Sequence, residues 1–272
     1  MSPDGLCWRT GVPLPQSLFR PDSITWRINQ EPALLLGGGR ALLMQLAHPG
    51  VAAGVAEHSD FRRRPLDRLL RTLELTLALT FGTRAEALGA AQQINAVHQR
   101  IRGNGYSATD PRLLLWVHAT LIDSALVTYT EFVGPVSAVD QDAYYQEAKL
   151  IGGLLGLANS RYPGSLSEFE AYMAQMLTGP ELMVDARARE LARAVLRPNV
   201  QRVPPPVFRP LEAITAGLLP ASLRLDYELP WGRLEQMGFG AVRGALPRTL
   251  RVLPRRFRQV PPARTARARA AE

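Results

Sequence analysis

The sequence predicts an all-α protein, a multi-helix bundle in a single domain. Three observations predict it. Apolar residues recur at three- and four-residue spacings through successive windows of the chain. Those windows are bounded by residues that start and stop helices. No run of alternating polar and apolar residues is long enough to read as a sheet. With 272 residues, 46% of them hydrophobic, the chain can bury a substantial core.

The elements follow in order. Residues 1–24 read as an N-terminal extension. The first core helix is expected over 32–47, with leucines at 34, 35, 42, 43 and 46. His48 precedes Pro49, and a residue before proline is pushed out of the helical region, so His48 ends or kinks that helix. After Pro65, a run over 66–81 puts Leu66, Leu69, Leu70, Leu73, Leu77 and Phe81 on one side, with Gly82 as cap. The next helix, 84–102, carries Ala91, Ile94, His98 and Ile101 on one stripe and stops at Gly103-Asn104-Gly105. Asp110-Pro111 supplies an N-cap and a first-turn proline. The helix they open runs to about Phe132, with Leu114, His118, Leu121, Ala125, Thr128 and Phe132 on one face. Residues 140–157 and 167–196 are two further helices. The five prolines of 198–210 make a loop, and 211–239 holds helical pieces.

The charge divides the chain in two. The formal net charge is +8, yet residues 243–272 hold nine arginines and one acid, Glu272, so the rest of the chain is neutral. The helical domain is therefore placed at 25–240 and a basic tail, rich in proline and arginine, at 241–272. The tail reads as a solvated, partly disordered terminus. Its functional alternatives are weak contact with an anionic membrane surface and, less expected, contact with nucleic acid. The single cysteine, Cys7, permits no internal disulfide and suits a reducing compartment. The N-terminal residues lack the basic start and apolar run of a secretory signal, and no apolar run approaches the ~20 residues of a spanning helix. The expectation is a soluble, cytoplasmic protein.

All four histidines, His48, His58, His98 and His118, fall between positions 48 and 118. Imidazole is the commonest side-chain ligand for transition metals and haem iron. His98 lies on an apolar stripe, where a neutral imidazole needs a hydrogen bond or a metal to offset its desolvation. The pattern leaves both open, the ordinary core histidine being the commoner arrangement. Arg102 follows His98 by one turn, and Arg68 and Arg71 lie one turn apart beside Thr72. Such arginines either form a solvated helix face or hold carboxylates by paired hydrogen bonds. His48 reads first as a helix-end residue bonding freed backbone, and His58 as a helix end. Glu57 is a general base if buried. His118 reads equally as a pocket residue or a core residue.

Several site types are excluded. No glutamate precedes a histidine by three residues, as a bundle di-iron site needs. No His-Glu-x-x-His is present, and Gly37-Gly38-Gly39-Arg40 has no Gly-Lys-Ser/Thr after it to form a phosphate loop. No Gly-x-Ser-x-Gly elbow occurs.

The segments QLAHPGVAAGVAEHSDF, RLLRTLELTLALTFG, VHQRIRG and DPRLLLWVHATLIDSALVTY resemble the mpaB-type oxygenase family, formerly a domain of unknown function (DUF2236), which includes the rubber oxygenase called latex clearing protein. The resemblance covers roughly residues 25–240. It implies an all-helical fold enclosing a haem b pocket, with dioxygen and a small lipophilic substrate, an isoprenoid or a lipid, as partners. It implies oxidation of that substrate or cleavage of its C=C bond to two carbonyl products. His98 matches the family's proximal iron ligand. Arg68, Arg71 and Thr72 match its arginine-x-x-lysine-threonine segment, with arginine where the family has lysine; an arginine stays charged and is a poor iron ligand. Arg102 and His118 are expected at the cofactor, and Arg71 and Glu57 as the catalytic pair. Two other readings stand beside this one: a haem-binding protein without turnover, and a helical lipid-binding protein whose basic tail lies on a membrane.

Overall fold

The computed structural model describes residues 17–58, 65–198 and 203–270. The architecture is all-α, as the sequence predicts: thirteen α-helices and one two-residue hairpin among the described residues.

The bundle is built around α6 (Pro111–Phe132). Asp110 caps it by accepting a hydrogen bond from the Arg112 amide, and Pro111 occupies its first turn. Trp116, His118, Ala119, Ile122, Leu126, Thr128 and Phe132 are all buried, so α6 is enclosed on most of its circumference, whereas Leu121, expected on its apolar face, is exposed. This is also the one helix among the described residues long and apolar enough to cross a membrane, contrary to the expectation that none is. More than half of that apolar window is buried inside the protein, and Asp123 within it pairs with Arg40, which is how the central helix of a bundle behaves.

The expected helix over 32–47 is a 3-10 turn, Pro32–Gly37, followed by α2 (Gly38–Leu46). The three-glycine run is a packing seam. A β-carbon at position 37 would collide with the Thr128 hydroxyl of α6, and one at position 39 with the Thr215 hydroxyl of α10 (Arg209–Leu218). The next residue, Arg40, is buried where these helices meet. Its guanidinium reaches Asp123 (2.6 Å), Ser124 Oγ (2.7 Å) and the Leu218 carbonyl (2.8 Å). Such a buried cation is tolerable because its donors are met.

α3 (Pro49–His58) starts after a break at His48, whose Nδ1 accepts the Gly50 amide, 3.1 Å away. α4 (Pro65–Phe81) and α5 (Arg84–His98) form a hairpin joined by two residues. Thr83 and Glu86 make a reciprocal capping box there. α5 stops at His98 rather than 102. Residues 101–108 instead carry β1 (Arg102–Gly103) and β2 (Tyr106–Ser107), antiparallel, with Arg102 opposite Ser107. Gly105, at φ +78°, makes the tight turn possible.

α7 (Ala138–Leu154) leads to a span expected as one helix, 167–196. It is two, α8 (Leu166–Thr178) and α9 (Ala186–Leu196). Gly179-Pro180 breaks it, since proline lacks the amide that would continue the ladder, and Asp185 caps the restart. α11 (Ala221–Asp226) follows α10. α12 (Arg233–Val252) then runs across position 240 without a break.

The expectation of a disordered tail is corrected. α13 (Pro261–Arg269) is docked: Val260, Ala263 and Ala266 are buried with Phe19, Trp26 and Phe81. Arg258 pairs with the buried Glu31 (2.9 Å), and Arg269 donates to the Phe81 carbonyl (2.9 Å). Composition suggested a solvated tail, but three small apolar residues on one side of a short helix suffice for docking.

Candidate functional site

His98 is the last residue of α5. Earlier in the same helix, Ala90 and Ala91 pack with Leu79 of α4, with Ile151 and Leu154 of α7, and with Leu155 just after it. Asn95 fixes the helix end by donating to the Leu154 carbonyl (2.9 Å). The imidazole is half-buried, and burial lowers its pKa below the ordinary value, which keeps it neutral. Its Nδ1 is shielded from solvent and has no hydrogen-bond partner among the described residues. A buried ring nitrogen in this state is an unmet acceptor or donor, and neutral imidazole is the form that binds a metal.

The short connection at Gly82-Thr83 folds α5 back along α4. Residues 68–72 are therefore level with the C-terminal half of α5, at the open end of the hairpin where His98 lies. Arg71 and Thr72 are exposed there, and the Thr72 carbonyl accepts from Thr76 Oγ1 (2.8 Å). The side chain of Arg68 lies outside the described residues, as does Cys7.

Glu57, His58 and Arg102 meet at a second place, where α3 packs on the small hairpin. Tyr106 donates its hydroxyl to Glu57 Oε2 (2.6 Å), and Arg187 of α9 approaches the other carboxylate oxygen (3.5 Å). Glu57 is half exposed rather than buried, and its charge is already partnered. Partial burial and the neighbouring carboxylate push the Tyr106 phenol up to about 12. His58 Nε2 lies 3.1 Å from the Arg102 carbonyl, and the Arg102 side chain is exposed. Tyr106 and Arg187 had no signal in the sequence, because their partner stands 49 residues from one and 130 from the other. Gly54 is a partial clue in hindsight: a β-carbon there would press on Ile101 and Tyr106.

His118 belongs to neither place. It is buried, hydrogen-bonded through Nδ1 to the Tyr162 hydroxyl (2.5 Å), and desolvation lowers its pKa to about 4. Lys149, the chain's only lysine, sits 4.3 Å above the Tyr145 ring and 5.9 Å from the Tyr162 ring, donating to the Pro163 carbonyl (2.9 Å). The structure thus brings the α4 segment to the same end of a hairpin as His98, gathers Glu57 and Arg102 elsewhere, and spends His118 on a core tyrosine.

No group of three or more histidine, cysteine or acidic side chains is arranged to hold a metal ion among the described residues. A cofactor held by one protein ligand needs no such group.

Fold and site together define a helical domain with one unpartnered, neutral imidazole at the end of a helical hairpin. The sequence model for the family described as ER-bound oxygenase mpaB/B'/rubber oxygenase, catalytic domain, matches residues 25–252, and the chain belongs to that family. It is accordingly an oxidoreductase of the oxygenase type. Uncharacterised proteins of Mycobacterium bovis and Mycobacterium tuberculosis are each 29% identical over 228 residues, which cover 79% of this chain and 88% of theirs. No solved structure matches the chain.

Proposed function

We propose that the protein is a haem b-dependent oxygenase of a small lipophilic substrate, an isoprenoid or a lipid, with His98 as the iron ligand. The observation that carries this reading is the buried, unpartnered Nδ1 of a neutral His98 in a chain of this family. The residues fit the group at that point, since a neutral imidazole at a helix end offers a lone pair without first losing a proton. When bound, haem iron would supply the activation of dioxygen for attack on the substrate.

The remaining roles belong to the chain's own groups. A guanidinium is a cationic donor and a poor metal ligand, so Arg71 orients anionic or polar groups and does not ligate iron. Arg68 and the Thr72 hydroxyl are of the types that hold the carboxylate edge of such a cofactor, whereas Arg102 stands with Glu57 and His58. His118, closed off by Tyr162, supports α6 from within. Glu57 acts with Tyr106 as a unit, holding a proton between the phenol oxygen and carboxylate Oε2.

The test is dioxygen uptake by haem-loaded protein supplied with a short polyisoprenoid, with carbonyl products followed by mass spectrometry. Uptake coupled to two carbonyl products is expected. Haem-loaded protein that consumes no dioxygen with isoprenoid or unsaturated lipid would leave a haem carrier and overturn the catalytic reading.

A further inference from the structure

We infer that the outward face of α12 docks on an anionic lipid bilayer. α12 has two apolar faces. Phe239, Val242, Leu246, Leu250 and Leu253 face inward and join Phe132, Ile214 and Leu218 in a core cluster. On the other side, Leu234, Met237, Ala241, Ala245 and Val252 follow one another at helical spacing and are exposed. Leu234, Met237 and Val252 are 81%, 70% and 82% exposed. A surface helix needs one apolar face, toward its core; a second one, about 27 Å long by helical rise, calls for a partner.

Charge identifies that partner. Residues 236–271 contain nine arginines and no acid; Arg243, Arg258 and Arg269 pair with Glu131, Glu31 and Glu86, which leaves Arg248 and Arg251 of α12 to face outward. Arg233, Arg248 and Arg251 are exposed on α12, and a groove of about 520 Å³ runs along the helix between Gly240, Arg243, Gly244, Pro247, Arg248 and Arg251. Phe257, 57% exposed, follows the helix with the Arg256 guanidinium 4.9 Å over its ring. An apolar stripe bordered by arginine is the pattern of a helix lying in a membrane interface, side chains among acyl chains and guanidinium groups on phosphates. A second copy of the chain is a poor occupant. Two-fold pairing of α12 would bring arginine rows together with only Glu235 of each helix to offset them. Nucleic acid would leave the apolar stripe wet. The inference goes beyond the oxygenase reading and does not depend on haem binding.

The experiment is co-sedimentation of the full chain with vesicles of phosphatidylcholine, alone or mixed with phosphatidylglycerol. Binding to the mixed vesicles only, weakening steeply with added salt, is expected. Leu234→Glu with Met237→Glu, and separately Arg248→Glu with Arg251→Glu, should each weaken it by on the order of tenfold or more. All four positions are exposed, so unchanged thermal melts by circular dichroism will show that folding is kept. Absence of binding to anionic vesicles, or variants that bind as well as the wild type, would overturn the inference. So would a concentration-dependent dimer, lost in Leu234→Glu with Met237→Glu, in protein that ignores vesicles.

Discussion

The Tyr162 hydroxyl and His118 Nδ1 share a hydrogen bond of 2.5 Å, and they can do so because position 152 is glycine. A β-carbon there would fall on the Tyr162 hydroxyl and press on the imidazole. Gly152→Ala is expected to lower stability by about 1–3 kcal/mol through overpacking. Tyr162→Phe should cost a similar amount, about 1–3 kcal/mol, by leaving a buried nitrogen unpaired. Chemical denaturation of the two variants measures both.

The same pair predicts a pH dependence. Burial lowers the His118 pKa from its ordinary 6.5 to about 4. The unfolded chain therefore takes up a proton on this residue at a pH where the folded chain does not. Stability from this source is complete above about pH 6.5 and lost as pH falls toward 4. It amounts to at most about 3 kcal/mol, at about 1.4 kcal/mol per pH unit. His48 and His98, whose pKa values burial also lowers, act in the same direction. Unfolding free energy measured across that range should slope upward with pH, and His118→Gln should flatten the slope. An unchanged slope would place the proton linkage elsewhere.

Arg40 ties α2, α6 and α10 through one guanidinium. Arg40→Ala strands Asp123 in a largely enclosed position and leaves Ser124 Oγ and the Leu218 carbonyl without their donor. A loss of about 3–5 kcal/mol is expected. Arg40→Met with Asp123→Leu should recover part of it, because no charge is then left behind. A double variant as unstable as the sum of the two single variants would show that the residues do not act together.

Deleting residues 259–272 removes α13 from Phe19, Trp26 and Phe81. The expected result is a Tm lower by roughly 5–10 °C, from the loss of about 2–4 kcal/mol. Tryptophan emission should shift to the red as Trp26 meets water. A truncated chain with unaltered Tm and emission would mean that α13 does not close this cluster.

The fold class was legible because helix period and caps agree along most of the chain. Ser137, Asp110 and Thr83 cap helices as their side chains dictate. Boundaries failed where a tertiary contact decides. α5 ends at His98 because residues 101–108 turn back onto α3, where Tyr106 meets Glu57 and His58 meets the Arg102 carbonyl. The periodicity of 167–196 predicts one helix, and Gly179-Pro180 divides it into α8 and α9. The docking of α13 was hidden because alanine and valine among arginines carry little hydrophobic signal. At the candidate site, the partial burial of His98 was legible from its stripe. The partners of His118 and Glu57 were not, because Tyr162, Tyr106 and Arg187 come from distant positions that only folding brings together.

The most direct measurement is the visible absorption spectrum of the purified protein, oxidised and reduced, from cells supplied with a haem precursor, beside that of His98→Ala. The account predicts a strong Soret band with about one haem per chain in the wild type, lost in a His98→Ala protein that melts like a folded chain. A colourless wild type that refuses added haem, or a folded His98→Ala protein that keeps its full haem complement, would contradict it.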